Sequence, residues 1–230
     1  MFSRIALTVA LAAGAFAATT TNSTTLPSLT VPSCPSKGYL SYNLSSPDLE
    51  AFPDTAVEIC YDDSVLHIDF LAYNETSFFY NSTYTTNGDI YNYEVMEVFI
   101  AKGTSDPTTY LEFEVAPNNV TFQGFIYNPS TNRTDGAPFD TFLFPTPIAD
   151  GLLANTTLDE AAETWVSSVE IPLTLFNVDG ATAAGTQWRM NFFRITTSPE
   201  TFPTRVSGAW SPTPDNNLHN TPYFGYVQFI

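Results

Sequence analysis

The sequence predicts an all-β protein, an antiparallel β-sandwich of jelly-roll or immunoglobulin-like architecture. About ten short segments alternate apolar and polar residues with the two-residue period of a half-buried strand, and Gly, Pro, Asn or Asp separates them. No long stretch has the period of a helix, and only residues 158–164 are predicted as a short helix or turn, with a further turn at 173–178. Aromatic residues make up 15% of the chain, which suits the core between two packed sheets.

The predicted strands cover residues 39–43, 56–61, 65–73, 95–101, 110–115, 121–127, 165–171, 188–196, 208–210 and 223–229. The fourth and fifth of these are expected to pair as a hairpin, because a run of turn formers, Lys-Gly-Thr-Ser-Asp-Pro, lies between them. Alternation places Glu112 and Glu114 on one face of the fifth strand and Glu97 on one face of the fourth. The hairpin therefore carries carboxylates on a sheet face.

The N-terminus has the features of a secretory signal peptide, predicted at residues 1–17: Arg4, an apolar run and a small-x-small cleavage signal that ends at Ala17. The apolar run is too short to span a bilayer, which takes about 20 residues, and no other segment approaches that length. Residues 18–36 are predicted to be a flexible Thr/Ser/Pro-rich leader. Residues 37–230 are long enough for a single β-sandwich domain, and we expect a secreted monomer.

Modification signals fit an exported protein. Seven Asn-x-Ser/Thr sequons predict N-glycosylation, at Asn22, Asn43, Asn74, Asn81, Asn119, Asn132 and Asn155. The only cysteines, Cys34 and Cys60, are expected to pair as a structural disulfide in an oxidising compartment.

The net charge of -17 argues against a nucleic-acid partner, because phosphate binding needs a basic surface. Such acidity suits solubility, and it leaves a structural Ca²⁺ ion open because calcium prefers carboxylate and carbonyl oxygens. No other cofactor is predicted.

Arginines stand out on one predicted strand, since Arg189 and Arg194 are two of only seven Lys and Arg residues in the chain. A buried arginine needs a carboxylate partner. The strand-borne candidates for that partner are Glu97, Glu112, Glu114 and Glu170. A structural salt bridge across the sheet is therefore the favoured interpretation.

Catalytic alternatives have weaker support. Glu112 and Glu114 have the separation of a glycosidase pair, but any two residues at i and i+2 of a strand lie about 6–7 Å apart. Met96 with His219 is a further candidate pair, for a haem electron-transfer domain. No nucleophile elbow, His-Glu-x-x-His motif, phosphate loop or dinucleotide fingerprint is present.

Residues 73–93 form a polar loop rich in Tyr and Asn. Tyrosine rings can stack on the C–H face of a sugar while Asn hydrogen-bonds its hydroxyl groups, and loops often carry function. The alternative is a surface loop that packs on itself.

Six motifs in order carry a resemblance to a known family: Glu97-Val-Phe-Ile, Tyr110-Leu-Glu-Phe-Glu-Val-Ala-Pro117, Glu170-Ile-Pro172, Arg189-Met-Asn-Phe-Phe-Arg194, Ala209-Trp-Ser-Pro212 and Phe224-Gly-Tyr-Val-Gln-Phe229. From about residue 39 to the C-terminus, the chain resembles a family 9 carbohydrate-binding module or a closely similar β-sandwich domain. The resemblance implies an antiparallel sandwich that binds glycan ends or short sugars between two aromatic side chains, often with structural Ca²⁺.

The resemblance also implies roles for individual residues. One clamping tryptophan of the family falls on Tyr91, and the acid that binds sugar hydroxyls falls on Glu97. A basic position that contacts sugar falls on Glu114, which reverses its charge, and the second clamping tryptophan falls near Leu218. His219, Tyr223 and Trp210 are candidate replacements for that missing ring.

We therefore expect a secreted, non-catalytic carbohydrate-binding protein. The candidate sugar-binding residues are Tyr91, Glu97, Glu112, Glu114, Arg189, Asn191 and Trp210, with Arg189 and Asn191 supporting the acids. The alternatives are an extracellular structural or interaction protein that kept the fold without the sugar, a domain associated with glycoside hydrolysis, or a haem domain.

Overall fold

The computed structural model describes residues 25–230. The predicted signal peptide, the first part of the leader and Asn22 lie outside the described residues. The thirteen strands are β1 (Ser28–Val31), β2 (Gly38–Ser46), β3 (Ala51–Tyr61), β4 (Val65–Tyr73), β5 (Val95–Lys102), β6 (Thr109–Val115), β7 (Thr121–Tyr127), β8 (Asp140–Leu143), β9 (Leu153–Asp159), β10 (Thr164–Pro172), β11 (Gln187–Thr196), β12 (Val206–Ala209) and β13 (Gly225–Phe229). Short helical turns occur at Ile90–Asn92, Leu173–Phe176, Gly180–Ala183 and Thr221–Tyr223.

The strands form one strongly curved sheet, in the order β8-β7-β6-β5-β11-β12-β2-β3-β4-β10-β9. All neighbours on this path are antiparallel. Strand β13 pairs with the first half of β11, next to the segment that pairs with β12, and β1 runs parallel to β13. Strand β2 connects the two halves: its first residues pair with β3 and its last two, Ser45 and Ser46, pair with β12. A register shift between Tyr42 and Leu44 lets β2 bend from one half to the other.

The two halves of the sheet pack face to face over one apolar core. Phe70 of β4 contacts Phe192 of β11 edge-on, with ring centroids 6.2 Å apart. Met96, Val98 and Ile100 of β5 all point into this core, as their alternation predicted. The predicted antiparallel β-sandwich is therefore confirmed, as is the hairpin of β5 and β6.

Three strands were not predicted: β1, β8 and β9. Strands β8 and β9 have mostly exposed or half-buried side chains, so they carry no apolar alternation by which a sequence pattern detects a strand. The candidate helix at 158–164 is the end of β9 followed by a tight turn into β10. Strand β1 lies within the predicted leader, and Val31 is fully buried, so the folded part begins before the predicted boundary at residue 37.

The predicted disulfide is present between Cys34 and Cys60 and joins the segment after β1 to β3. Arg194 is also buried, but its partner is Glu75 rather than a strand-borne acid, with Nη2 donating to Oε2 at 2.8 Å. Arg194 Nη1 donates further to the carbonyl oxygens of Asp54 and Tyr73. The expectation of a strand-borne partner is therefore wrong for Arg194, because β11 turns this side chain toward the start of the loop after β4.

Candidate functional site

A groove with a volume of about 720 Å³ lies on the face of β5 and β6 that points away from the sandwich core. Its floor comes from Glu97 and Phe99 of β5 and from Glu112 and Glu114 of β6. These side chains face the groove because their strand neighbours face the core, so the alternation that buries the core also builds the floor. The size is that of an ordinary small-ligand site.

The walls of the groove come from four loop segments, and no sequence pattern predicts that these segments lie close together. Groove-lining residues on these segments are Asn87, Asp89, Tyr91, Arg133, Phe139, Pro203, Arg205, Asn216, Asn217, Leu218 and His219. The groove is thus a sheet face enclosed by loops, which is the usual construction of a binding site on a rigid scaffold.

Three carboxyl groups cluster on the groove floor. Glu97 lies directly opposite Glu114 in the ladder between β5 and β6, and Glu112 lies two residues from Glu114 on the same face. Glu97 and Glu114 are each 2% exposed and Glu112 is 7% exposed. Within residues 25–230 none of the three forms a salt bridge, and the Oε2 atom of Glu114 has no hydrogen-bond partner.

Burial raises the pKa of all three carboxyls. The pKa of Glu112 rises to about 7. The pKa values of Glu97 and Glu114 rise well above their usual range, first because burial disfavours the charged form and then because neighbouring carboxylates repel. Arg205 and Arg133 partly oppose these shifts at Glu97 and Glu112, respectively. Burial therefore favours the protonated form of these carboxyls over a wider pH range than for an exposed glutamate.

Tyr91 presents an aromatic ring at the groove. It sits in the short helical turn Ile90–Asn92, which is anchored by the buried side chain of Ile90, and Tyr91 itself is 40% exposed. Arg205 donates a hydrogen bond to the Tyr91 carbonyl oxygen, and its guanidinium lies over the ring, 5.7 Å from the centroid. These contacts hold an exposed ring in place before any ligand arrives.

A second aromatic group lies beside the floor. His219 stacks on Phe99 with ring centroids 5.1 Å apart and planes 14° apart, and its Nδ1 atom hydrogen-bonds the Tyr110 hydroxyl group at 2.6 Å. Burial lowers the pKa of His219 to about 3, so the imidazole is neutral. Phe139 meets His219 edge-on and carries Arg133 over its face at 4.2 Å from the ring centroid.

Leu218 also lines the groove, at the place where the resemblance puts the second clamping ring. Its side chain packs against the two small apolar clusters beneath the groove, which include Phe99 and Ile90. Tyr223, a candidate replacement, is half-buried in the turn Thr221–Tyr223 and is not among the lining residues. Of the candidate replacements, His219 lies at the groove.

Three predicted site residues lie outside the groove. Arg189 pairs with Asp106 at 2.8 Å, and Asn191 donates to the Ser211 carbonyl oxygen at 2.8 Å. Trp210 meets Phe192 edge-on at 5.9 Å and packs against the main core.

The expectation that Arg189 and Asn191 support the groove acids is therefore wrong, as is the placing of Trp210 beside Tyr91. The physical reason is that the chain after β12 returns across this end of β11. Its backbone carbonyls accept hydrogen bonds from the Arg189 and Asn191 side chains.

The haem alternative is excluded for the pair that suggested it. Met96 is fully buried in the main core, whereas His219 stacks on Phe99 on the opposite face of β5. The two side chains cannot ligate one iron. Among residues 25–230, no group of three or more His, Cys, Asp or Glu side chains could hold a metal ion, so the structural Ca²⁺ ion stays a prediction.

Sequence reasoning missed the two arginines at the groove. Arg133 and Arg205 lie in loops rich in Asn, Thr, Ser and Pro, whose positions no periodicity predicts. The chain has only seven Lys and Arg residues, so each arginine could have been considered as a candidate site residue from the sequence. In the loop at 73–93, Tyr93 packs against Phe79 and Tyr84, as the self-packing alternative expects. Tyr91 lines the groove, and its stacking on a sugar stays a prediction.

Comparison with solved structures identifies the fold. A candidate carbohydrate-binding protein from Bacteroides uniformis superposes with a TM-score of 0.65 at 14% identity, covering 90% of this chain and 100% of that one. A family 9 carbohydrate-binding module from Caldicellulosiruptor kristjanssonii in complex with glucose gives 0.60 at 13% identity, covering 89% and 96%. A family 9 module from the same organism in complex with cellotriose gives 0.55 at 14% identity, covering 88% and 93%. The chain has the β-sandwich fold of family 9 carbohydrate-binding modules.

Sequence comparison places the chain more closely. It is 47% identical over 204 residues to an extracellular protein of Arthroderma benhamiae, covering 89% of this chain and 91% of that protein. The chain therefore belongs to the same family as this extracellular protein. No family model matches it. In the described part of the chain, no helix has both the length and the apolar character needed to cross a membrane.

Proposed function

We propose that this chain is a secreted, non-catalytic carbohydrate-binding protein whose groove takes the end of a glycan or a short sugar. The observation that carries the proposal is the presence of Tyr91 and Glu97 in one groove of a family 9-like sandwich. The structural neighbours support the ligand class, since one was solved with glucose and another with cellotriose.

The groove offers the two kinds of contact that a sugar needs. The exposed Tyr91 ring can stack on the C–H face of a pyranose, and Phe99 with His219 offers further apolar surface on the floor. Glu97 and Glu112 can hydrogen-bond sugar hydroxyl groups, while the guanidinium groups of Arg133 and Arg205 are donors at the rim.

The test is binding of glucose, cellotriose and a broader glycan array to the wild type and to Tyr91→Ala. Stacking contributes about 0.5–1.5 kcal/mol by analogy with aromatic pairs, so the variant should bind roughly 2- to 12-fold more weakly. Tyr127→Ala is the matched control, because Tyr127 is 42% exposed against 40% for Tyr91 and lies outside the groove lining.

Two results would count against the proposal: no binding of any glycan at millimolar concentration, or equal affinity of Tyr91→Ala and the wild type. The first, together with a tight protein partner in pull-downs, would favour the extracellular interaction protein. Unchanged oligosaccharide after long incubation is the result expected of a non-catalytic protein.

Glycosylation belongs to the same proposal. Five of the six described sequon asparagines are exposed, whereas Asn81 is half-buried: the exposed ones are Asn43, Asn74, Asn119, Asn132 and Asn155. We expect the exposed sites to carry glycans in the secreted protein. Mass spectrometry of peptides before and after enzymatic deglycosylation tests each site.

A further inference from the structure

The acidic floor of the groove is not paired with a cationic side chain anywhere in residues 25–230. Glu97, Glu112 and Glu114 form no salt bridge in that range, although Arg133 and Arg205 line the same groove. Each arginine lies instead over an aromatic ring at the rim. The described part of the protein therefore leaves these three buried carboxyls without a salt bridge.

An independent observation points to a ligand. The Glu114 carboxyl is 2% exposed, lines the groove and shares a hydrogen bond with the Glu112 carboxyl. Its Oε2 atom nevertheless has no hydrogen-bond partner among residues 25–230. A buried polar atom left without a partner destabilises the folded protein, because it has lost its water and gained nothing in return. A donor supplied by a bound molecule would remove that cost.

We propose that the groove prefers a sugar that carries a protonated amino group, such as an unacetylated hexosamine, over the corresponding neutral sugar, with the ammonium group donating to the Glu114 carboxyl on the acidic floor. This inference rests on the proposed sugar-binding function and specifies its ligand class. An ammonium group has three donors and no acceptor, so it can supply the donor that Glu114 Oε2 lacks. Charge-assisted hydrogen bonds are also roughly twice as strong as neutral ones.

The sign of the floor disfavours the opposite class. A uronic acid would bring a further carboxylate beside three buried carboxyls, whose mutual repulsion already raises the pKa values of Glu97 and Glu114. Arg133 and Arg205 could attract such a sugar only at the rim, where both are exposed to water and charge interactions are weak.

Binding of an ammonium group is expected to depend on pH. The charged and titratable groups around the cluster are Tyr42, Asp89, Tyr91, Tyr110, Arg133, Arg205 and His219. Because burial favours the protonated carboxyls in the free groove, an ammonium group that pairs with a carboxylate displaces protons. Affinity should therefore rise between pH 5 and 7 while the amine remains protonated, and binding should release protons to the buffer.

The experiment compares three trisaccharides of equal length by calorimetry: the β-1,4-linked glucosamine trimer, its fully N-acetylated form and cellotriose. We expect the glucosamine trimer to bind at least tenfold more tightly than either neutral trimer at pH 7, and less so at pH 5. Repeating the titration in buffers with different ionisation enthalpies measures the released protons.

Glu114→Gln should lower affinity for the glucosamine trimer more than affinity for cellotriose, and Glu112→Gln should do the same as a second variant if the first folds poorly. Glu170→Gln, on the other half of the sheet, is the control that should change neither affinity. Equal loss for both ligands in the Glu114 and Glu112 variants would show that the acids do not seat the ammonium.

Two further outcomes separate this inference from the proposed function. If cellotriose binds in a Tyr91-dependent way and the glucosamine trimer binds no more tightly, the amino-sugar preference is overturned and sugar binding stands. If none of the three trimers binds and the glycan array is also empty, both proposals are overturned.

Discussion

Glu97 and Glu114 lie directly opposite each other across the ladder of β5 and β6, and both are 2% exposed without a salt bridge in the described part of the chain. Like charges at such a position destabilise a sheet. The fold tolerates the pair because burial raises both pKa values and keeps protons on the carboxyls. This arrangement links the stability of the protein to pH.

We predict that stability falls as the pH rises from about 4.5 to above 7. A carboxyl whose pKa is raised in the folded protein keeps a proton that the unfolded chain has released, so the folded state loses relative stability once the unfolded chain ionises. For Glu112 the pKa moves from 4.5 to about 7, a difference on the order of 3 kcal/mol. Glu94, whose pKa burial raises to about 8, acts in the same direction.

Thermal unfolding at pH 5 and pH 8 measures this effect. Glu112→Gln should be more stable than the wild type at pH 8 and nearly equal to it at pH 5, because the amide has no proton to lose. Glu50→Gln, at an exposed position, controls for the change in net charge. Parallel pH dependence in the wild type and Glu112→Gln would contradict the prediction.

The buried pair of Arg194 and Glu75 should contribute strongly to stability. Arg194 is 1% exposed and Glu75 is 2% exposed, and Glu75 Oε1 also accepts from the backbone amides of Ser77 and Phe78. Glu75→Ala leaves a buried guanidinium without its counterion, which costs about 3–5 kcal/mol. Chemical denaturation measures the loss in free energy of unfolding.

Asp106→Asn is the comparison for that variant. Arg189 keeps backbone carbonyl acceptors from Thr221, Pro222 and Phe224 when Asp106 loses its charge, and the Asp106 side chain is 49% exposed. The expected loss is below about 1 kcal/mol, because water screens the half-exposed Asp106 carboxylate. Equal losses of stability in the two variants would refute the difference between the fully buried pair and the half-exposed pair.

Restoring an aromatic ring at position 218 should tighten sugar binding. Leu218→Trp places an indole beside the floor, and a second stacking contact contributes about 0.5–1.5 kcal/mol, or roughly 2- to 12-fold in affinity. Affinity electrophoresis against a soluble glucan measures the change. Leu153→Trp, at an exposed position outside the groove, should leave the mobility shift unchanged.

The double variant Leu218→Trp with Tyr91→Ala tests whether the two rings act on one ligand. If they do, the gain in affinity from Leu218→Trp should be larger when Tyr91 is present than in the Tyr91→Ala background, because contacts to a shared ligand are coupled. Independent effects would place the two rings at separate sites.

Alternation was the strongest source of correct predictions. It gave the hairpin of β5 and β6, the core positions Met96, Val98 and Ile100, and the outward direction of Glu97, Glu112 and Glu114. These features follow from a local rule, since successive side chains of a strand point to opposite faces. The predicted export of the protein to an oxidising compartment likewise predicted the Cys34–Cys60 disulfide.

The partners of charged side chains could not be predicted in the same way. Arg194 and Glu75 are 119 residues apart in the chain, and Glu75 lies on a loop that carries no periodic signal. The Arg189 and Asn191 side chains lie on the predicted face of β11, but the chain segment after β12 crosses that face and hydrogen-bonds them. Pairing at such distances depends on how loops cross the sheet.

The sequence by itself determined the class of fold, the disulfide and the acids of the groove floor, because strand periodicity and residue chemistry are local properties. Only the tertiary structure decided which loops enclose that floor, bringing Tyr91, Arg133, Arg205 and His219 to Glu97 and leaving Trp210 in the core. Loop positions depend on packing between residues distant in sequence. The acidic groove is therefore built from strands that the sequence predicts and walls that it does not.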